Sequence, residues 1–115
     1  MNRSRAERSP RPMLSVIVCC YNEAKVLPFF HKRLMAVLKT LSIRYEVVYV
    51  NDGSRDETLA LLDGYCQAPG VRCLNLSRNF GKEAAMVAGI DYAVGDALLF
   101  IDADLQDPPE LIPLM

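Results

Sequence analysis

The sequence has 115 residues, enough for one domain and not two. Apolar residues make up 51% and charged residues 23%, a globular composition that allows one modest core. The formal net charge is -1, but residues 1–13 hold four arginines against one glutamate, while the rest holds nine basic and thirteen acidic residues; an acidic globular part excludes a nucleic-acid binder, which needs a basic face.

Residues 1–13 read as a disordered basic tail, because such a segment buries no core. No apolar run follows it, so a secretory signal is not expected. No stretch approaches the ~18 uninterrupted apolar residues of a membrane span.

From residue 14 onward, two kinds of element alternate, forming one domain over 14–115. The first apolar run is Leu14 to Cys20, a predicted strand. Residues 23–41 follow with Leu27, Phe30, Leu34, Leu38 and Leu41 on one helical stripe, capped by Asn22. The second strand is Glu46 to Val50. Ser54-Arg55-Asp56-Glu57 then has the capping-box pattern and opens a helix over 55–67, with Leu59, Leu62 and Cys66 facing inward. A third strand runs from Val71 to Leu76. The helix over 82–94 presents Ala85, Ala88, Gly89 and Tyr92 on one face, small enough to let it approach a sheet closely. The fourth strand is Ala97 to Ile101, and Asp107-Pro108-Pro109-Glu110 has the signature of one more helix start.

Runs of near-continuous apolar residues in strands one, two and four are the pattern of strands buried on both faces. The order βαβαβαβ predicts a mostly parallel sheet sandwiched by helices, a Rossmann-like α/β fold. Of the four cysteines, Cys19 and Cys20 are adjacent on a strand and point to opposite faces. With no C-x-x-C pair and no histidine nearby, a zinc site is not expected, and all four read as buried reduced thiols of a cytosolic protein. The single histidine, His31, reads as a surface residue without a role.

Ligands of open α/β sheets bind beyond the carboxyl ends of the strands. There stand Tyr21-Asn22-Glu23, Asn51-Asp52-Gly53-Ser54, Ser77-Arg78-Asn79-Phe80-Gly81-Lys82 and Asp102-Ala103-Asp104-Leu105-Gln106-Asp107. Asp102, Asp104 and Gln106 share parity along an extended chain, so three oxygen donors can converge. Two acids that end a buried strand need a compensating charge, and all-oxygen donors suit Mg2+ or Mn2+. Asp107 reads as a helix cap. Neither a phosphate-binding P-loop nor a G-x-G-x-x-G dinucleotide motif is present.

These segments together resemble the family 2 glycosyltransferases of the GT-A fold. The likeness is nearest to the polyprenyl-phosphate branch, which includes dolichol-phosphate mannosyltransferases and bactoprenol glucosyltransferases. It rests on Ser15 to Glu23, Val50 to Asp56, Leu76 to Ala84 and Asp102 to Glu110, in that order. It implies an inverting, metal-dependent transfer of a hexose from a nucleotide-diphosphate sugar such as UDP-glucose or GDP-mannose. A lipid phosphate is the implied acceptor, at the cytoplasmic face of a membrane. Asp102 and Asp104 then hold metal and diphosphate, with Gln106 as third metal ligand. Asp52 contacts the base, Tyr21 and Glu23 line the nucleoside pocket, and Arg78 and Lys82 stand near the phosphates or sugar, or form an ordinary surface ion pair. Members commonly carry proline where this chain has Cys19. The resemblance implies that the acceptor site, the catalytic base and the membrane-associated part lie beyond residue 115. On that expectation the 115-residue chain is an inactive fragment; the alternative is a nucleotide-binding module without transferase activity. A phospho-receiver would place its acids after strands one and three, whereas here they follow strands two and four.

Overall fold

The computed structural model describes residues 13–103. Along them run β1 (Met13–Cys20), α1 (Leu27–Leu38), β2 (Arg44–Asn51), α2 (Thr58–Tyr65), β3 (Val71–Asn75), α3 (Lys82–Tyr92) and β4 (Ala97–Asp102). The four strands form one sheet in the order β3-β2-β1-β4, and every pairing is parallel. The α/β sandwich expected from the alternation is therefore present. Among the described residues, no helix is long and apolar enough to cross a membrane.

Side-chain parity sorts the core into two layers. Val16, Val18 and Cys20 of β1 and Val47 and Tyr49 of β2 pack with Leu27, Phe30, Leu34 and Leu38 of α1 and Leu62 of α2. Ile17, Val48 and Val50 face the other way, against Ala85 of α3, with Cys19 packed at the margin. The two adjacent cysteines thus point to opposite faces, as the strand period requires. Gly89 lets α3 sit close to the sheet: a Cβ there would come within 2.6 Å of Ile17 Cγ2.

The fourth strand departs from the expectation. Ala97 and Phe100 are exposed and Leu98 and Leu99 only half-buried, while Ile101 is buried. Its apolar run resembles that of β1, but β4 lies at the edge of the described sheet, paired with β1 alone. Leu59 is likewise exposed rather than inward-facing, since α2 turns Thr58 and Leu62 to the core. On α3, Tyr92 is exposed and Ala85 and Gly89 alone are buried.

Two helix starts also differ. Helix α1 begins at Leu27, not beside Asn22, and α2 begins at Thr58, not after Ser54. Neither residue caps a helix, because the two loops exchange those polar groups across space. The Asn22 N–H donates to Ser54 Oγ (3.0 Å), and the Arg55 N–H donates to Asn22 Oδ1 (2.8 Å). Asn22 adopts a left-handed conformation to do so (φ 52°), which asparagine tolerates better than most residues. At the start of α2, Asp56 Oδ1 accepts from the Thr58 N–H (2.9 Å). The proposed Asp107 cap lies outside the described residues.

The cysteines need a second correction. Cys66 and Cys73 form a disulfide between the end of α2 and β3; only Cys19 and Cys20 are free. A separation of seven residues gave no warning, because the turn after α2 folds β3 back beside it. His31 is not a plain surface residue either. Its Nδ1 lies 2.6 Å from the Tyr49 hydroxyl, and its ring stacks on Tyr65 at 3.8 Å. Burial lowers its pKa, keeping the imidazole neutral near pH 7.

At the amino end of the sheet, a buried polar knot joins three strands. Glu46 is 3% exposed. It accepts from Ser15 Oγ (2.6 Å), Arg72 Nε (2.9 Å) and the Val94 N–H (2.8 Å). Ser15 Oγ in turn accepts from the Gly95 N–H at 2.8 Å. Burial alone would raise the Glu46 pKa, but the bonds from Ser15, Val94 and Arg72 outweigh it and hold the group below its ordinary 4.5.

A folded-state pKa below the unfolded one gives stability that is complete above about pH 4.5 and is lost as pH falls through the folded value. Glu46→Gln is therefore expected to cost about 2 kcal/mol at pH 7 in urea unfolding and to flatten the loss of stability below pH 4.5; exposed Lys32→Ala changes neither. Chain unfolded in denaturant without reductant should take up thiol label at two of its four cysteines. Reduction should lower stability by roughly 2–3 kcal/mol, the chain-entropy value for so short a loop.

Candidate nucleotide and cation site

In a parallel sheet all carboxyl ends lie on one rim. The chain leaves β1 toward β2 on one side, whereas β4 returns on the other, so a crevice opens above β1 and β4. A cavity of about 220 Å³ occupies that crevice, lined by Cys19, Cys20, Tyr21, Glu23, Asp52, Lys82 and Asp102. Five of the residues singled out in the sequence thus meet in one place: Tyr21, Glu23, Asp52, Lys82 and Asp102. Asp104 and Gln106 lie outside the described residues.

The register explains the convergence. Cys19 stands opposite Asp102 on β4 and Val50 on β2, so β4 ends within one residue of the end of β1. Asp52 follows β2 directly, and its own N–H donates to the Cys20 carbonyl at 2.9 Å. Its side chain is held as well: Oδ1 accepts the Phe80 N–H at 2.8 Å. Its second carboxylate oxygen has no hydrogen-bond partner among the described residues. A fixed acid on the cavity wall suits recognition of a donor on a ligand.

Two loops interlock to place these groups. Gly53 is left-handed (φ 69°), and a Cβ on it would collide with the Arg78 and Asn79 backbone. Only glycine permits both the conformation and the close approach. Asn51 Oδ1 accepts from the Ser54 N–H, and Asn51 Nδ2 donates to Asn75 Oδ1 at 3.3 Å. Across this seam lies a second groove of about 370 Å³, and Tyr21 walls both spaces. Arg78 lines that groove, its guanidinium 4.7 Å above the Phe80 ring centre. It is not among the residues of the first cavity.

The seating of Gly53 on the third loop and the Phe80 N–H bond to Asp52 were not read from the sequence. The pattern Asn51-Asp52-Gly53 was the available signal, since glycine after a strand-ending acid marks a backbone that must turn or pack closely.

Negative charge is in excess in the cavity. Three carboxylates line it, those of Glu23, Asp52 and Asp102. Lys82, the first residue of α3, places its Nζ 2.7 Å from Asp102 Oδ2. The amino end of α3 adds partial positive charge at the same rim. Burial, with the Asp102 charge adding to it, pushes the Cys19 thiol up to about 11. Cys19 is accordingly a neutral thiol near pH 7. Burial raises the Cys20 thiol further still.

A divalent cation fits the donor chemistry in part. Asp102 supplies a hard oxygen whose charge is already balanced by a cation, here an ammonium. Among the described residues, no group of three or more His, Cys, Asp or Glu side chains is close enough to hold a metal alone. Donors from Asp104 and Gln106, or from a diphosphate, would complete such a shell.

Over 100 residues the chain is 55% identical to a Synechocystis sp. protein named uncharacterized glycosyltransferase sll0501, covering 86% of this chain and 31% of that protein. It is 43% identical over 101 residues to the prophage bactoprenol glucosyl transferase homolog of Escherichia coli, covering 87% and 33% respectively. Among solved structures, residues 1–349 of S. aureus TarS in complex with UDP-GlcNAc superpose with a TM-score of 0.67 at 28% identity, covering 80% of this chain and 26% of that one. The chain thus spans about a third of the length of the curated relatives it matches. Residues 15–115 match the model of Glycosyl transferase family 2, and the chain belongs to that family.

Proposed function

We propose that this chain is the donor-binding part of an inverting glycosyltransferase that moves a hexosyl group from a nucleotide-diphosphate sugar to a polyprenyl phosphate. The observation that carries the reading is the meeting of Tyr21, Glu23, Asp52, Lys82 and Asp102 around one cavity at the β1/β4 crevice. Two similar proteins support the substrate classes. The Escherichia coli relative is named for bactoprenol glucosyl transfer, and the TarS structure contains UDP-GlcNAc.

In this reading Tyr21 offers an aromatic face and Asp52 its free carboxylate oxygen to the nucleoside. Glu23 accepts from the ribose. Lys82 meets the diphosphate from the amino end of α3, where backbone N–H groups also favour anions. Asp102, with Asp104 and Gln106, would hold Mg2+ or Mn2+. Such a cation, when bound, neutralises the charge that develops on the leaving diphosphate. The acceptor attacks the anomeric carbon from the opposite face, which inverts its configuration. A phosphate acceptor is already ionised near pH 7, so the demand for a general base is small. The part of the relatives' length that this chain does not cover would carry the acceptor site and the attachment to the cytoplasmic face of a membrane.

Calorimetry on the 115-residue chain tests the donor side. UDP or GDP should bind in the presence of Mn2+. Asp52→Ala should weaken nucleotide binding by roughly tenfold, the worth of one hydrogen bond to a charged group. Asp102→Asn should abolish the dependence on Mn2+. Absence of binding by both nucleotides, or no response to either substitution, contradicts the reading. Transfer assayed in the full-length protein then separates an enzyme from a nucleotide-binding module.

A further inference from the structure

We propose that Lys82 is the exchangeable counter-ion of Asp102, holding this carboxylate until a divalent cation displaces it and so coupling cation binding to diphosphate binding. The proposal rests on the reading of the cavity as a cation and diphosphate site, and adds an order of events within it.

Four observations carry it. First, the contact is direct: Lys82 Nζ lies 2.7 Å from Asp102 Oδ2. A ligating cation needs that same carboxylate, so the ammonium and the cation compete for one group. Second, the pair is weakly held. The Lys82 side chain is 61% exposed and that of Asp102 32%, and exposed ion pairs of this kind contribute little because water screens them. Third, another acid of the cavity is partly engaged already: Asp52 Oδ1 accepts the Phe80 N–H. Fourth, the pair stands between two spaces. Cys19, Lys82 and Asp102 line both the polar cavity and a second one of about 260 Å³ walled by Ile17, Met86, Phe100 and Ile101. Lys82 sits at the first position of α3 on a flexible four-carbon stem. It can therefore swing from Asp102 to an anion in the cavity without moving the helix.

The energetic consequence is reciprocal. A cation that arrives alone must expel Lys82 from Asp102. A diphosphate that arrives alone must draw Lys82 away, which strands the carboxylate beside Asp52 and Glu23. When both arrive, each removes the other's cost: the cation takes Asp102 and the released ammonium takes the phosphate. Binding of either must then strengthen binding of the other by the same factor.

The test is Mn2+ affinity in the absence of nucleotide, measured by calorimetry or by the electron paramagnetic resonance of free Mn2+. Lys82→Gln should bind Mn2+ alone roughly two- to fivefold more tightly than the parent chain, the fold-change matching the worth of an exposed ion pair. Lys82→Met should do the same if either variant folds less well. The strengthening of Mn2+ binding by UDP should shrink toward one in both. Arg78→Gln, which removes a positive charge from the adjoining groove and not from this cavity, should leave Mn2+ affinity unchanged. Equal or weaker Mn2+ binding by both Lys82 variants overturns the proposal, as does an equal gain in Arg78→Gln, which would mean a general field effect. A site that gains Mn2+ affinity on losing Lys82 yet binds neither UDP nor GDP upholds the exchange while contradicting the nucleotide reading.

Discussion

The structure depends on β1 being gripped by parallel partners on both edges. Hydrogen bonds to β2 and β4 fix its register, and burial on both faces fixes its length. A one-residue slip against β4 would turn Asp102 from the side of α3 to the side of α1, because side chains alternate along a strand. Asp102 would then lose Lys82, and the cavity would lose one of its three acids. The polar knot at the other end of the sheet resists such a slip. Glu46 ties Ser15 of β1, Arg72 of β3 and the backbone before β4 into one hydrogen-bonded group. The polar knot and the candidate site thus occupy opposite rims of the same four strands.

What β1 does for register, the second and third loops do for precision. Asp52 has two jobs that do not conflict. One oxygen holds the Phe80 N–H, and so holds the loop that delivers Lys82; the other remains for a ligand. Gly53 seats the two loops backbone to backbone. A substitution in either loop therefore disturbs the Asp52 side and the Lys82 side of the cavity together. Groups that bind one ligand in several places gain from this rigidity, because fewer contacts must be ordered on binding.

Much of this was legible in the sequence, for physical reasons. Near-continuous apolar runs declare buried parallel strands, and Ala85 with Gly89 declares a helix pressed against them. Polar residues at the ends of those runs then had to share a rim, and Tyr21, Glu23, Asp52, Lys82 and Asp102 do. The errors share a cause, which is that local pattern does not show how elements meet or where a strand falls in the sheet. Asn22 and Ser54 look like caps for the helices that follow them, but each serves the other's loop. Cys66 and Cys73 look like separate thiols until a turn brings them together. The β4 run looks like that of β1, and its position in the sheet order decides its exposure. Glu46 stands at the head of an apolar strand and gave no sign that it would gather three donors.

The central claim is that a cation and a nucleotide diphosphate meet at the carboxyl ends of β1 and β4. Paramagnetic broadening of backbone amide resonances by Mn2+ in the presence of UDP or GDP measures that position directly. The account predicts that Cys19, Lys82 and Asp102 broaden at the lowest Mn2+ concentration, while Glu46, Arg72 and Val94 at the opposite rim stay sharp. Broadening centred on the Glu46 end, or spread evenly over the chain, would contradict it.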